Sequence, residues 1–316
     1  MASNGNNEHH RFLGYLSVVI FTLTFVLGLP SNLLVVATFF KKARNKGATP
    51  NVVYVINSCL ANLFFILWLP VKVTETLNNW MLPPVLCPVY NFFQFGTIYA
   101  SILFLTAISV GRYLSIAFPI TYKLYKNAKN SCLVCAFLWT LVTLHVALVL
   151  IIEGNGGQLF VSSSLNNIST CYENFTEAQL NFLVPLRLEM SVAMFFLPLL
   201  ITTFCYFSCM ALVVRSCLQE RRKRRVIVVA LSTLLIFVVC FGPYNVSHVV
   251  GYIQHENIWW RRVALLTSNC NVFLEPMVII FLSSPPMHSL NLCWQTVKRK
   301  LSNLKCNASA CRRRQG

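Results

Sequence analysis

The chain has 316 residues, 56% of them hydrophobic and 11% charged, with a formal net charge of +17. With a mean hydropathy of +0.62, this composition excludes a soluble globular domain and points to an integral membrane protein. The charge excludes little until it is placed, because a basic membrane face and a nucleic-acid surface give the same total.

A spanning helix needs about 20 apolar residues, and seven such runs lie near 12–40, 51–77, 89–118, 131–152, 185–214, 226–252 and 260–283. Residues 1–11 form a short polar segment before a bundle over 12–283, and 284–316 form a basic tail. The first run is too long for a cleaved signal peptide and serves as its own insertion signal. Lys41 to Lys46, Arg112, Lys123 to Lys129, Arg215 to Arg225 and Lys298 to Arg314 put 21 of the 26 basic residues on one side, where only Glu220 of the nine acidic residues joins them. The positive-inside rule makes that side cytoplasmic and places the N-terminus outside. A basic face beside an anionic leaflet then accounts for the charge, and nucleic acid is not an expected partner.

Most of the thirteen cysteines sit inside the runs as small apolar residues. Cys87, at the outer start of the third run, and Cys171, in the long outer loop, are the two exposed to an oxidising space, so a bridge between them is expected. The same loop carries the glycosylation acceptors Asn167-Ile168-Ser169 and Asn174-Phe175-Thr176. In the sixth run Pro243, Asn245 and His248 interrupt the apolar pattern. A proline bends a helix and frees a carbonyl, and polar groups in hydrocarbon face a cavity or a protein interior. A moving part beside a binding site is the expectation.

Ser284-Pro285-Pro286 ends the seventh run, and Met287 to Leu304 reads as an amphipathic eighth helix on the inner leaflet. Cys306 and Cys311 follow it as candidate acylation sites, with unmodified thiols as the alternative. The chain has no phosphate loop, nucleophile elbow or metal-spaced His/Cys cluster, so an enzyme, a cofactor and a metal-ligating cluster are not expected. The fold class is an all-α seven-transmembrane-helix bundle.

One landmark falls in each run, in order: Asn32, Leu60-Ala61-Asn62, Arg112-Tyr113, Trp139, Pro198, Pro243 and Pro276. Together with the seven runs, these resemble the rhodopsin-like, class A, G-protein-coupled receptors over about residues 12–305. Thr170 to Thr176, Pro185-Leu186-Arg187-Leu188-Glu189, the Phe241 to Tyr252 stretch and Trp259-Trp260-Arg261 look like the free fatty acid receptors. His145 in the fourth run is similar to the short-chain members. The resemblance implies a plasma-membrane receptor for short-chain carboxylates (acetate, propionate, butyrate) that couples to the heterotrimeric G protein Gi, with Gq and arrestin left open as further partners. A receptor of the same fold for a longer fatty acid or a hydroxycarboxylate is the nearer alternative. An anion transporter is the more distant one, since the repeated halves and interrupted helices typical of transporters are missing.

Arg187, His248 and Arg261 bring three cation-capable side chains from three successive runs. An arginine fork matches a carboxylate with two parallel hydrogen bonds, and a histidine adds a switchable donor. Tyr99 and Tyr244 are further donors, His145 is a further ligand candidate, and Glu173 and Glu189 could pair the arginines in the empty receptor. Lys72 and Arg262 read as interfacial side chains reaching toward headgroups. A ligand of about five heavy atoms gains at most about 7 kcal/mol, so binding is expected at high micromolar to millimolar concentration.

The switch residues that the resemblance implies are Arg112, Tyr113, Tyr206, Phe241, Pro243, Glu275 and Pro276. Three departures from the family pattern accompany them. Gly111 stands where an acid usually restrains Arg112, which predicts raised basal signalling. Asn62 replaces an aspartate while Glu275 precedes Pro276, and with Ser101 and Asn271 these residues suit either a sodium pocket or a protonated, hydrogen-bonded Glu275. Ile279 occupies the position of a switch tyrosine.

Overall fold

The computed structural model describes the backbone of residues 2–78, 83, 86–125, 127–155, 161–163, 169–171 and 177–283, and their side chains except at 2–11, 46, 78, 125, 128, 152–155, 161–163, 169–171, 178, 282 and 283. In chain order it contains α1 (Ala2–Lys46), α2 (Pro50–Asn78), α3 (Leu86–Ala117), α4 (Pro119–Tyr125), α5 (Ala128–Asn155), β1 (Val161–Ser163), β2 (Ser169–Cys171), α6 (Glu177–Ser191), α7 (Leu197–Arg215), α8 (Glu220–Ile236), α9 (Gly242–Gln254) and α10 (Arg261–Ser283). A π-helical turn, Val192–Phe196, joins α6 to α7, and a second, Phe237–Phe241, joins α8 to α9. Among the described residues, seven helical spans, counting each joined pair as one, are long and apolar enough to cross a membrane.

The spans form a closed bundle in which α1 packs on α2 and α10, and α3 packs on α2, α5 and α7. In the most apolar stretch of α3, 72% of residues are buried, against 22% in α1. α3 is therefore the central strut, and the other spans keep an outward apolar face such as Leu67, Phe137, Leu200 and Ile253. β1 and β2 pair antiparallel with Val161 opposite Cys171. This hairpin lies in the α5–α6 connection and marks one end of the bundle; the opposite end carries the basic connections.

Both π turns stand just before a proline, at Pro198 and Pro243. Proline lacks a backbone donor and its ring pushes against the preceding turn, so the backbone widens rather than breaks. The second widened turn is braced from outside: the hydroxyls of Thr267 and Ser268 on α10 donate to the Cys240 carbonyl at 2.9 and 3.1 Å. Ser191 donates to the Asn245 carbonyl at 3.1 Å, tying α6 to α9. The rings of Phe195 and Phe237 stack at 5.8 Å where the two bulges meet. The bend expected at Pro243 is therefore a braced bulge.

Three features differ from the sequence reading. The short helix α4 and the hairpin were not anticipated, because seven and three residues are too few to show periodicity. The fifth span begins well before residue 185, so Arg187 lies about three turns inside the helix and not at its end. Elsewhere, α7 ends at Arg215 and α8 starts at Glu220, so the basic connection is mostly helix ends. The expected eighth helix, Cys306, Cys311, Glu173, Asn167 and Asn174 lie outside the described residues.

Candidate functional site

Two adjoining cavities occupy the hairpin end of the bundle. The inner one, about 20 Å³, is lined by Phe95 and Tyr99 of α3, Val146, Val149 and Leu150 of α5, Arg187 and Met190 of α6, and Tyr244 and His248 of α9. The outer one, about 200 Å³, includes Lys72 of α2, Asn91 and Gln94 of α3, and Arg261, Arg262 and Asn269 of α10. Phe95 and Tyr244 line both cavities, and their rings stack at 6.2 Å. This aromatic pair is the partition between the two spaces.

Four of the six residues expected to hold a carboxylate thus line one small space, and Arg261 faces its neighbour. Arg187 is 7% exposed and His248 4%. The His248 ring meets Tyr244 edge-on at 4.5 Å, and its Nδ1 is buried without a hydrogen-bond partner. Both Arg187 and Arg261 lie within electrostatic reach of His248. Burying a guanidinium and an imidazole in one region of a membrane protein is expensive unless something completes them. The polar side chains on the walls of this space, Arg187, His248, Tyr99 and Tyr244, can all donate hydrogen bonds.

His145 lines neither cavity. Its Nε2 stands 3.5 Å from Glu189 Oε1 on a half-exposed flank, and its Nδ1 is 3.2 Å from the Leu141 carbonyl. Glu189, expected beside the arginines, meets His145 there. Lys72 and Arg262 depart from the lipid-facing role read from sequence, since both line the outer cavity. Lys72 pairs with the buried Glu75 at 2.6 Å and lies over the Tyr90 ring at 5.0 Å. The helix-end location suggested headgroups; the packing of α2 against α3 turns the lysine inward.

A second polar cluster lies mid-bundle. Asn32 donates to the carbonyls of Gly28 and Val272, both at 2.8 Å, and its Oδ1 accepts from Asn62 at 3.1 Å. Ser101 donates to Asn62 Oδ1 at 3.3 Å. Glu275, 3% exposed, accepts from Ser58 at 2.9 Å and from Asn271 at 3.3 Å. The expected residues Asn62, Ser101, Asn271 and Glu275 belong to this cluster, to which Ser58 was missed. One helical turn separates Ser58 from Asn62, so the i, i+4 spacing could have found it.

At the basic end Arg112 Nη1 donates to the Tyr206 hydroxyl at 3.3 Å, with the guanidinium 5.9 Å from the ring centre. The ring of Tyr113 meets that of Phe204 edge-on at 5.7 Å. Ile279 lines a small cavity with Arg112 and Glu275. A Cβ on Gly111 would collide with Asn51 Oδ1, an acceptor buried without a partner. The side chain of Asn51 therefore occupies the space beside Arg112's neighbour.

The chain matches the model of the 7 transmembrane receptor (rhodopsin family) over residues 31–283. It is 39% identical to the free fatty acid receptor 3 of Mus musculus over 277 residues, 86% of this chain and 85% of that one. It is 36% identical to the free fatty acid receptor 2 of Homo sapiens over 292 residues, covering 92% and 88% of the two chains. It is also 36% identical to the free fatty acid receptor 1 of Macaca fascicularis over 282 residues, 86% and 92% of the two. Identity spread this evenly over three receptor types fixes the family and leaves the type open. The seven-helix bundle is a multi-pass membrane receptor and not an enzyme, and the chain belongs to the free fatty acid receptor family of rhodopsin-like G-protein-coupled receptors.

Proposed function

We propose that the chain is a plasma-membrane receptor, N-terminus outside, that responds to short-chain carboxylates such as acetate, propionate and butyrate through Gi. The observation that carries this reading is the inner cavity, where buried Arg187 and buried His248, whose Nδ1 has no partner, stand beside Tyr99 and Tyr244. Arg187 supplies the planar fork, and the tyrosines and His248 supply further donors for the second carboxylate oxygen. Arg261, across the aromatic partition, adds charge from the outer side.

Size favours a short acid. About 20 Å³ holds roughly one water, so even propionate enters only when the Phe95–Tyr244 partition opens. Tyr244 follows Pro243 directly and sits just beyond the braced bulge. Opening the partition therefore displaces the residue next to the hinge, which gives a ligand different contacts in two states and so the means to shift between them. A long alkyl chain would require a larger displacement of Val146, Val149 and Leu150.

The deciding experiment is a series of acids from acetate to stearate on Gi nucleotide exchange, with wild type, Arg187→Ala and Arg261→Ala. Response to the short members in wild type and its loss in both variants is expected. A retained carboxylate response in both variants overturns the reading, and a response confined to long acids moves it to the longer-chain alternative. Parallel Gq exchange and arrestin recruitment assign the remaining partners.

Five further assignments accompany this orientation. Cys87 is buried and disulfide-bonded, and Cys171 is its proposed partner; Asn167 and Asn174 are the proposed glycan sites on the same loop. Cys306 and Cys311 are the proposed acylation sites in the cytoplasmic tail. The Glu275 cluster is the proposed monovalent-cation pocket, supported by Asn271 Oδ1, an acceptor buried without a partner that fits an oxygen-seeking ion. Basal signalling is proposed to be raised because Gly111 offers Arg112 no carboxylate, leaving Tyr206 to hold it.

A further inference from the structure

Two features of the basic end stand beside Arg112 without a part in its bond to Tyr206. Gly111 is buried on α3, and the buried Oδ1 of Asn51 on α2 reaches into the space that a side chain on Gly111 would fill, with no hydrogen-bond partner of its own. A buried acceptor without a donor is costly, and a glycine inside a helix is less favourable than an alanine. Both residues sit one helical turn from residues that line the Arg112 cavity, Asn51 from Val55 on α2 and Gly111 from Ile108 on α3. Arg112 donates to the Tyr206 hydroxyl at 3.3 Å, a neutral acceptor at the long end of the hydrogen-bond range. Glu275 lines the same cavity, but its carboxylate already accepts from Ser58 and Asn271.

We propose that Asn51 is the positioning residue for Arg112 in the resting receptor: the guanidinium leaves Tyr206, turns back over Gly111 and donates to Asn51 Oδ1. The acceptor that an acid at position 111 would supply from α3 is supplied from α2 instead, and position 111 is a glycine because that acceptor fills the place of its side chain. One bond thus accounts for both features. Two mutually exclusive acceptors, Tyr206 and Asn51, give Arg112 two positions and so the form of a two-state switch. An amide is neutral and restrains a guanidinium less than a carboxylate would, in keeping with raised basal signalling. The inference rests on Arg112 being a switch residue of the proposed receptor, and its test needs no carboxylate ligand.

The test reads ligand-independent Gi exchange beside the fluorine NMR spectrum of a trifluoroethyl tag on the full chain in nanodiscs. The tag is placed on exposed Cys217, between α7 and α8, with Cys132, Cys306 and Cys311 replaced by serine. Asn51→Asp is nearly isosteric, suits the first turn of α2, where negative charge is favourable, and makes the acceptor a charged one. It should lower ligand-independent exchange by about threefold or more, whereas Asn51→Ala should raise it by about twofold. The two variants should move the tag spectrum in opposite directions, and Tyr206→Phe, which removes the competing acceptor, should move it the way Asn51→Asp does. In an Arg112→Leu background neither Asn51 variant should move it. A packing role for Asn51 would instead shift both variants the same way and show mainly as a lower melting temperature. Shifts of one sign for Asp and Ala, shifts that persist in Arg112→Leu, or no shift in either variant overturn the proposal. If propionate evokes no exchange in wild type while the tag responds as expected, the carboxylate reading falls and the role of Asn51 stands.

Discussion

The two buried polar clusters of this bundle are built on opposite plans. The mid-bundle cluster joins Asn32, Ser58, Asn62, Ser101, Asn271 and Glu275 in hydrogen bonds that cross α1, α2, α3 and α10. Its members are short, and its carboxylate is answered by a hydroxyl and an amide. The hairpin-end cluster joins long cationic and aromatic side chains around open space, with His248 Nδ1 and Asn269 Nδ2 left unpartnered. Desolvated polar groups are stabilising when paired and costly when not. The first cluster ties four helices together through its own hydrogen bonds, with Asn271 Oδ1 left over, while the second lines open space.

The strongest way to break this contrast is at Arg187. Removing one partner of a buried charge-assisted contact costs about 2–5 kcal/mol, so Arg187→Ala should shift the propionate concentration-response by about thirtyfold or more, with melting temperature little changed. Arg187→Lys should recover only part of it, since an ammonium lacks the planar fork. A large loss of thermal stability with unchanged potency would make Arg187 a structural residue and erase the distinction between the clusters.

Asn32→Ala should do the reverse. It removes donors to two backbone carbonyls and an acceptor for Asn62, and each buried group left unpaired costs about 1–3 kcal/mol. A clear fall in melting temperature in nanodiscs is expected, with propionate potency retained in the folded fraction.

How far each plan could be read from the sequence follows from its chemistry. The spans were legible because a membrane imposes length and apolarity on every one of them. Arg187, Arg261, His248, Tyr99 and Tyr244 were legible because charge and polarity inside such spans are rare enough to point at themselves. Lys72 and Arg262 were misread because the same rarity weakens near a span's end, where reaching for headgroups and facing a cavity look alike in one dimension. His145 was grouped with the ligand residues by resemblance, and its position beside Glu189 depends on the rotation of α5, which sequence does not encode locally. The partition formed by Phe95 was invisible, since a phenylalanine in an apolar run carries no signal. The unpartnered Asn269 was equally hidden, because only packing decides which amide finds a partner.

The brace on the second bulge is a sharper test of how the clusters communicate. Thr267 and Ser268 both donate to the Cys240 carbonyl, just before the hinge. Either hydroxyl alone satisfies that carbonyl, so Thr267→Val and Ser268→Ala should each be nearly silent. The double variant leaves the carbonyl without either donor and should cost about 1–2 kcal/mol, appearing as a lower melting temperature and higher ligand-independent exchange on Gi. Additive single effects would mean that the two hydroxyls do not share one acceptor, and the brace would fall.

Gly111 bears on the same resting balance from the basic end. Gly111→Glu alone is uninformative, because any Cβ there meets Asn51 Oδ1. In an Asn51→Ala background the new carboxylate has space and should lower ligand-independent exchange a few-fold by restraining Arg112. Unchanged basal exchange in that background would refute the account of raised basal signalling.

The smallest expected effect asks whether the mid-bundle cluster is truly complete in itself. Among the described residues of this cluster Asn271 Oδ1 is an acceptor buried without a partner, and a sodium ion there would be held by that oxygen, by Glu275 and by the hydroxyls of Ser58 and Ser101. Sodium bound preferentially to the resting receptor weakens agonist by mass action, so replacing it with choline should raise propionate potency, by about two- to fivefold, in wild type only. Glu275→Gln keeps the shape and removes the charge, and its potency should be the same in either salt. If wild type too is indifferent to sodium, the cluster is closed by hydrogen bonds alone, and the contrast with the hairpin end, where polar groups line open space, becomes sharper.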